Sequence, residues 1–507
     1  MRKFLKENSI LITILLIGAF FRLYKIGEYM TFLGDEGRDA IIVRRFLVDF
    51  DLMLIGPGTS IGNMYLGPLY YYLISPFLWL FNFSPVGPSV LIALIGVATI
   101  FMVYYVGLKW FSKRAGLIAA TLYAISPTVI IFSKSSWNPN IMPFFSLLAI
   151  YSIWMVWKRE NFKWLLTCAI SYAFVLQSHY FGLLLAPVLG FYWILIFLKT
   201  SFESQEINEK AKVVRFIKLS AISLVIFLGL MSPLLFFDIR HDWINYKAAS
   251  SLFVTGEDAF SKNIWASVIK LPEVLNLIST RLLAGRMETL GKIIVAVISI
   301  PSVLFLLGRK RLHTNEASGF STLTIWMIAG LFGLGLFKFE IHDHYFGLLF
   351  TAPFLFLAGF IDGVFDGLSK IGKTMLIFLF LFVVYINIIN SPLKYSPNKQ
   401  LQRAQNVSSK IIEESKETSF NLAVLAERNY EDGYAYFLEK EGYTPLHADI
   451  WDSKSISNQL FVVCEMEEVK CDPTHSPKAE VANFGWSKIE EKWEVDGVII
   501  YKLIHSR

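Results

Sequence analysis

The chain has 507 residues, 54% hydrophobic and 17% charged, with 44 Phe and a mean hydropathy of +0.50. Soluble domains carry about 25% charged residues, so the composition excludes an ordinary soluble enzyme and predicts one large membrane domain with an appendage. The net charge of +6 does not mark a nucleic-acid binder, because many basic residues sit in short loops between apolar runs, and three cysteines are too few for a disulfide scaffold.

In chain order, the first apolar run is 9–27. It is not a cleavable signal peptide, since "FFRLYKIGEY" follows it with no small-residue cleavage site. A bilayer core of about 30 Å needs roughly 20 apolar residues in helix. Further candidate crossings are 88–108, 115–133, 141–157, 163–178, 180–198, 217–236, 291–308, 321–337, 345–362 and 374–391, eleven in all. The segment "YLGPLYYYLISPFLWLF" (65–81) is apolar but carries Pro76 and many interfacial aromatics. Charge places it in the outer interface. With "MRKFLK" cytoplasmic, the loops "KWFSKR", "KRENFK", "KTSFESQEINEKAKVVRFIK", "GRKRLH" and "DGLSKIGK" then all face inward, as the positive-inside rule requires. If 65–81 crossed, every later basic loop would face out.

The expectation is therefore an α-helical polytopic protein of the plasma membrane with about eleven crossings, its N-terminus cytoplasmic. The outer face receives the loop 28–87, the turn "SKSSWNPN" (133–140), the loop 237–290 and all that follows 391. Residues 1–391 form the membrane domain. Residues 392–507 read as a small extracytoplasmic α/β domain, from the strand-like "FNLAVLAE", "NQLFVVCE" and "VDGVIIYKLI" and the helix-like "YEDGYAYFLEKEGY". Cys464 and Cys471 lie in it and could pair in an oxidising compartment; the sequence leaves this open.

The first outer loop contains "TFLGDEGRDAIIVRRF". Adjacent carboxylates, Asp35 and Glu36, precede Arg38 and a stretch whose periodicity predicts an amphipathic helix with Ile41, Ile42, Phe46 and Leu47 toward lipid or protein. Asp35 falls near the helix N-terminus, where the dipole favours negative charge. A carboxylate at the water–lipid boundary suits a general base; the plainer reading is a solvated face. Farther on, "FFDIRHDWINY" groups Asp238, Arg240, His241 and Asp242 at the outer end of a crossing, where Arg240, helped by His241, suits phosphate and Trp243 and Tyr246 suit the aromatic belt. "KFEIHDHYF" holds Glu340, His342, Asp343 and His344, which could be read as a metal cluster but lack an i, i+4 histidine pair. "SKSSWNPN" presents Lys134, Trp137 and Asn138, and "SHYFG" presents His179 and Tyr180.

"GDEGRDAIIVRRF", "DLMLIGP" and "YLGPLYYYL" together resemble the first external loop of the GT-C superfamily of membrane glycosyltransferases. The similarity is to the branch of the dolichyl-phosphate-mannose protein mannosyltransferases and the lipid A aminoarabinose transferases. Together with the topology it extends over about 390 residues. It implies a GT-C fold and a polyprenyl-phosphate sugar donor. It implies catalysis by Asp35, with Glu36 beside it, as an inverting base on an acceptor hydroxyl of a lipid, polysaccharide or protein. Donor phosphate and sugar contacts would come from Arg38, Arg45, Arg240, His241, His344 and Tyr345, the last two with Pro353 loosely matching a family stretch. Trp137, Asn138, Tyr65 and His179 would line the acceptor side or the cavity. Two positions depart from the lipid A branch: Asn138-Pro139 stands where Asp-Pro is usual, and Gly67-Pro68 where Lys-Pro is usual. No cofactor is implied with certainty. A divalent metal between Asp35 or Glu36 and the donor phosphate is chemically reasonable but has no ligand spacing behind it. The alternative function is a transporter or flippase of lipid-linked sugars, which would place polar groups at mid-membrane depth.

Overall fold

Apolar runs without internal charge fold as helices in a bilayer because every backbone N–H and C=O is then paired within the segment. The computed structural model describes residues 7–59, 64–202, 207–251, 259–307 and 314–506, and a helix lies on every expected crossing. The chain begins with α1 (Ser9–Leu23), α2 (Gly34–Asp49), α3 (Leu69–Leu80), α4 (Val86–Trp110) and α5 (Lys113–Ile125). It continues with α6 (Met142–Arg159), α7 (Trp164–Ser178), α8 (Ala186–Phe202), α9 (Ile207–Arg240) and α10 (Ile264–Leu282). The last membrane-domain helices are α11 (Glu288–Leu307), α12 (Thr314–Gly335), α13 (Ala352–Phe365) and α14 (Lys370–Ile389).

Their lengths vary. Among the described residues, six helical stretches are long and apolar enough to cross a membrane, and the pair Asp343–Leu349 and Ala352–Phe365, bent by 53°, makes a seventh if counted as one span. α1 and α7 have 15 residues each and α5 only 13. α5 stops at Ile125 because Pro127 lacks the N–H that would extend the hydrogen-bond ladder.

The helix ends sort into two faces. On one, Arg114 pairs with Asp362 and Asp366, Glu160 pairs with Lys199 and Lys212, and the Lys113 ammonium donates to the Glu7 carbonyl. All but Asp362 and Glu7 belong to the basic loops expected in the cytoplasm. "MRKFLK", "GRKRLH" and residues 252–258 lie outside the described residues. The other face carries α2, α3, the turn 133–140 and the C-terminal unit. α3 packs between α2 and α4, burying Tyr70, Tyr71, Ile74 and Leu78 and leaving Trp79 and Leu80 exposed at its end.

Arg22, near the end of α1, is fully buried. Its guanidinium donates to the carbonyls of Gly18 (3.0 Å), Ala124 (3.0 Å) and Tyr123 (3.4 Å), tying α1 to the frayed end of α5. The Tyr123 and Ala124 carbonyls are available because α5 ends there.

The C-terminal unit contains α15 (Gln400–Ser415), β1 (Asn421–Leu425), α16 (Asp432–Lys440), β2 (Gln459–Cys464), β3 (Ser487–Val495) and β4 (Val498–His505). The sheet order is β1-β2-β4-β3, with β1 and β2 parallel and the other pairs antiparallel. β1 and β2 are covered on both faces, which explains their unbroken apolar runs. β3 is an exposed edge whose Lys488, Glu490, Glu491 and Lys492 discourage pairing with another chain. Cys464 and Cys471 are joined in a disulfide. This unit shares a core with the first outer loop: Phe32, Ala40 and Ile41 pack with Val407, Tyr434 and Phe437.

Candidate functional site

The site is organised by the first turn of α2. The Glu36 carboxylate folds back to accept the Leu33 N–H (3.0 Å), and the Gly34 N–H donates to Asn429 of the C-terminal unit (2.8 Å). Burial pushes the Glu36 carboxyl up to about 7 despite that hydrogen bond, with the charge of Asp35 adding to the effect. Glu36 thus caps its own helix and is not among the residues that line the cavity described below.

Asp35 is the half-exposed member of the pair. Its Oδ1 accepts from the Arg38 guanidinium (2.9 Å) and from the Tyr430 hydroxyl (2.7 Å). Arg38 also makes a fork on Asp39 Oδ1 (2.8 and 3.1 Å), and Arg38 donates to the Tyr430 oxygen (3.2 Å). Asp39 is buried and accepts the Tyr71 hydroxyl (3.1 Å), while its Oδ2 has no hydrogen-bond partner among the described residues. Burial pushes the Asp39 carboxyl up to about 6, against the pull of Arg38. Asp39 was legible in principle, being four residues from Asp35 and so on the same helical face. Tyr71 and Tyr430 carry no such signal.

Asp35 and Arg38 open onto a cavity of about 170 Å³. Four distant stretches close it: Pro57–Thr59 with Leu66, then Trp137, Asn138 and Pro139, then His179 and Tyr180, then His344 and Tyr345. The His344 ring meets Trp137 at 4.5 Å and Tyr345 at 4.5 Å, and His179 lies 5.3 Å from Tyr345. Asn138 is anchored through its amide to the Ser178 carbonyl (2.6 Å). His179 Nδ1 accepts the Phe181 N–H (3.2 Å), and burial, then the neighbouring His344, holds its imidazole well below its usual range, so it is neutral.

The remaining expected residues are elsewhere. Arg45 pairs with Glu439 (2.6 Å) on a second cavity of about 290 Å³ between α2 and α16, which shares Arg38 with the first. Arg240 and His241 are exposed at the end of α9, with the His241 ring stacked on Phe237 at 4.0 Å. Asp238 caps the next turn by accepting the Asn245 and Tyr246 amides (2.7 and 3.1 Å). Tyr65 joins this group, donating its N–H to Asn245 (2.7 Å), and is not on the first cavity's wall. Lys134 is buried with its ammonium 4.5 Å from the Tyr29 ring centre. Among the described residues no three His, Cys, Asp or Glu side chains converge as a metal site. Within the Glu340–His344 stretch, Asp343 is engaged by Arg286 (3.0 Å) and Arg281 (3.3 Å).

Residues 66–231 match the family model described as dolichyl-phosphate-mannose-protein mannosyltransferase. ArnT from Cupriavidus metallidurans, in its structure bound to undecaprenyl phosphate, superimposes with a TM-score of 0.60 at 12% identity, over 98% of this chain and 98% of that one. The fold is GT-C. The GT-C likeness extends to the oligosaccharyltransferase of Archaeoglobus fulgidus in complex with Zn and sulfate, with a TM-score of 0.53 at 15% identity over 89% of this chain and 67% of that one. It also includes AglB from the same organism in complex with an inhibitory peptide and a dolichol-phosphate, with a TM-score of 0.51 at 14% identity over 90% and 69%. No curated protein sequence matches. The family match runs from α3 into α9 and does not include α2, so the acidic turn is read from its own geometry.

Proposed function

We propose that this protein is an inverting glycosyltransferase of the plasma membrane that moves a sugar from a polyprenyl phosphate to a hydroxyl on the extracytoplasmic side. The observation that carries the reading is Asp35 on the wall of a small cavity at the membrane surface, with Arg38, Trp137, His344 and Tyr345 around it. Residues 1–391 are the catalytic membrane domain, and residues 392–507 cover the site from outside. The similarity to structures that hold undecaprenyl phosphate and dolichol-phosphate supports the donor class.

In the step itself, Asp35 takes the proton of the acceptor hydroxyl. That oxygen forms a bond to the anomeric carbon from the face opposite the phosphate. The bond from the anomeric carbon to the phosphate oxygen breaks, and the polyprenyl phosphate leaves with the electron pair. A phosphate is a good leaving group, so one base and a nearby cation suffice; Arg38 is the cation on the wall. The cavity's 170 Å³ is small beside the roughly 300–1,000 Å³ of ordinary ligand pockets, which suits a sugar head group with its lipid chain left in the bilayer. The second cavity, reached past Arg38, supports an acceptor approach from between α2 and α16.

The test is transfer by the purified protein from radiolabelled undecaprenyl- and dolichyl-phosphate sugars to a membrane acceptor extract. Asp35→Asn is expected to lower the rate by about 10²–10⁴-fold. Undiminished transfer by Asp35→Asn removes Asp35 from the mechanism. No transfer from any donor turns the reading toward a transporter of lipid-linked sugars.

A further inference from the structure

The catalytic turn is completed by a residue almost four hundred positions away. Tyr430 leaves the C-terminal unit just before α16 and places its hydroxyl 2.7 Å from Asp35 Oδ1. The same hydroxyl oxygen accepts from Arg38 (3.2 Å), so tyrosine, arginine and carboxylate form a closed three-membered hydrogen-bonded ring. The contact is built in on both sides. A Cβ on Gly34 would lie 2.5 Å from three atoms of the Tyr430 ring, so the aromatic ring fits only over a glycine. A Cβ on Gly37 would fall on the Asp432 carbonyl and the Gly433 amide, so the backbone of the C-terminal unit is also seated on α2. Asn429 accepts the Gly34 N–H, one residue before Tyr430.

We propose that Tyr430 is a positioning residue for Asp35, and that segment 429–433 makes the C-terminal unit an obligatory part of the active site. Two donors converge on Oδ1. They fix the carboxylate plane and leave Oδ2 as the oxygen that faces the acceptor proton. Arg38 divides its donors between Asp35 and Asp39, so it supplies only part of this hold. Tyr430 is not among the residues that line the cavity, and its effect passes through Asp35. This inference rests on the transferase reading for its kinetic consequence, but not for the contact itself.

The experiment uses the full-length protein with Tyr430→Phe, which keeps the ring over Gly34 and removes only the hydroxyl. With a polyprenyl-phosphate sugar that the wild type turns over, kcat is expected to fall about 10–100-fold, the range for losing a hydrogen bond to a charged group, with KM for the donor unchanged. In an Asp35→Asn background the same change is expected to add nothing, since both substitutions act on one group. Wild-type kcat for Tyr430→Phe, where Asp35→Asn is inactive, overturns the proposal. So does a full further loss in the Asp35→Asn background. Hydrogen exchange of the amides in 34–38 supplies a readout that needs no donor. Exchange several-fold faster in Tyr430→Phe supports the hold on the turn, and exchange identical to wild type overturns it. If Asp35→Asn keeps full transfer, or no sugar is moved at all, the transferase reading fails and the exchange result alone decides the role of Tyr430.

Discussion

At the scale of single residues, the two neighbouring carboxylates of the first outer loop have opposite fates. Asp35 reaches the cavity and is held by two donors, whereas Glu36 turns inward and caps its own helix. Burial raises the Glu36 carboxyl from its ordinary 4.5 to about 7. A group raised in this way stabilises the fold fully below its unfolded value, and that contribution is lost as pH rises through the folded value. Wild-type thermal stability is therefore expected to decline across pH 4.5 to about 7, and Glu36→Gln is expected to flatten that decline; melting curves of the two proteins over this window check it. The sequence pointed to Asp35 and Arg38 because adjacent charges in an apolar chain stand out. It pointed equally to Arg45, Arg240 and His241, because charge at a helix end looks the same whether it faces a substrate or a neighbour. What separates them is the partner. Arg45 is taken by Glu439, 394 residues away, and His241 lies on Phe237, and no local pattern encodes the first of these.

At the scale of elements, α2 works as the seat for another unit. Its two glycines, Gly34 and Gly37, are spaced to lie on one face, and both are filled by the segment 429–433. Replacing Gly37 with Ala forces a Cβ onto backbone atoms that cannot rotate away. A loss of about 1–3 kcal/mol in stability is expected, as for other overpacked sites, together with loss of transfer. Gly363→Ala is the control: among the described residues nothing lies within 4 Å of the added atom, and no overpacking loss is expected. Denaturation monitored by tryptophan fluorescence separates the two. The helices themselves were legible as apolar runs, and β1, β2 and β4 as apolar strands. β3 was not, because an exposed edge strand rich in Lys and Glu lacks the buried alternation that marks a strand. The helix ends were less legible for a related reason: hydropathy sums residues across a break such as that at Pro127, while the helix ends there.

At the scale of the molecule, the paired basic loops and the C-terminal unit occupy opposite faces. Cysteines placed at the exposed positions 262 and 475 are expected to react with an impermeant thiol reagent on intact cells, and one at 370 only after lysis. Labelling of 370 on intact cells would invert the orientation and put Asp35 on the wrong side. The buried guanidinium of Arg22 has a bearing on how this architecture is reached. α1 carries a cation whose main-chain acceptors in Tyr123 and Ala124 are synthesised 101 and 102 residues later. At about 5–20 residues per second, that interval is on the order of 5–20 s. During it, the Arg22 guanidinium, near the end of α1, lacks its partners from α5 and stays with the interface, because an unpaired charge in hydrocarbon is costly. α1 is thus seated against its partners only once the hairpin of α4 and α5 arrives to receive it.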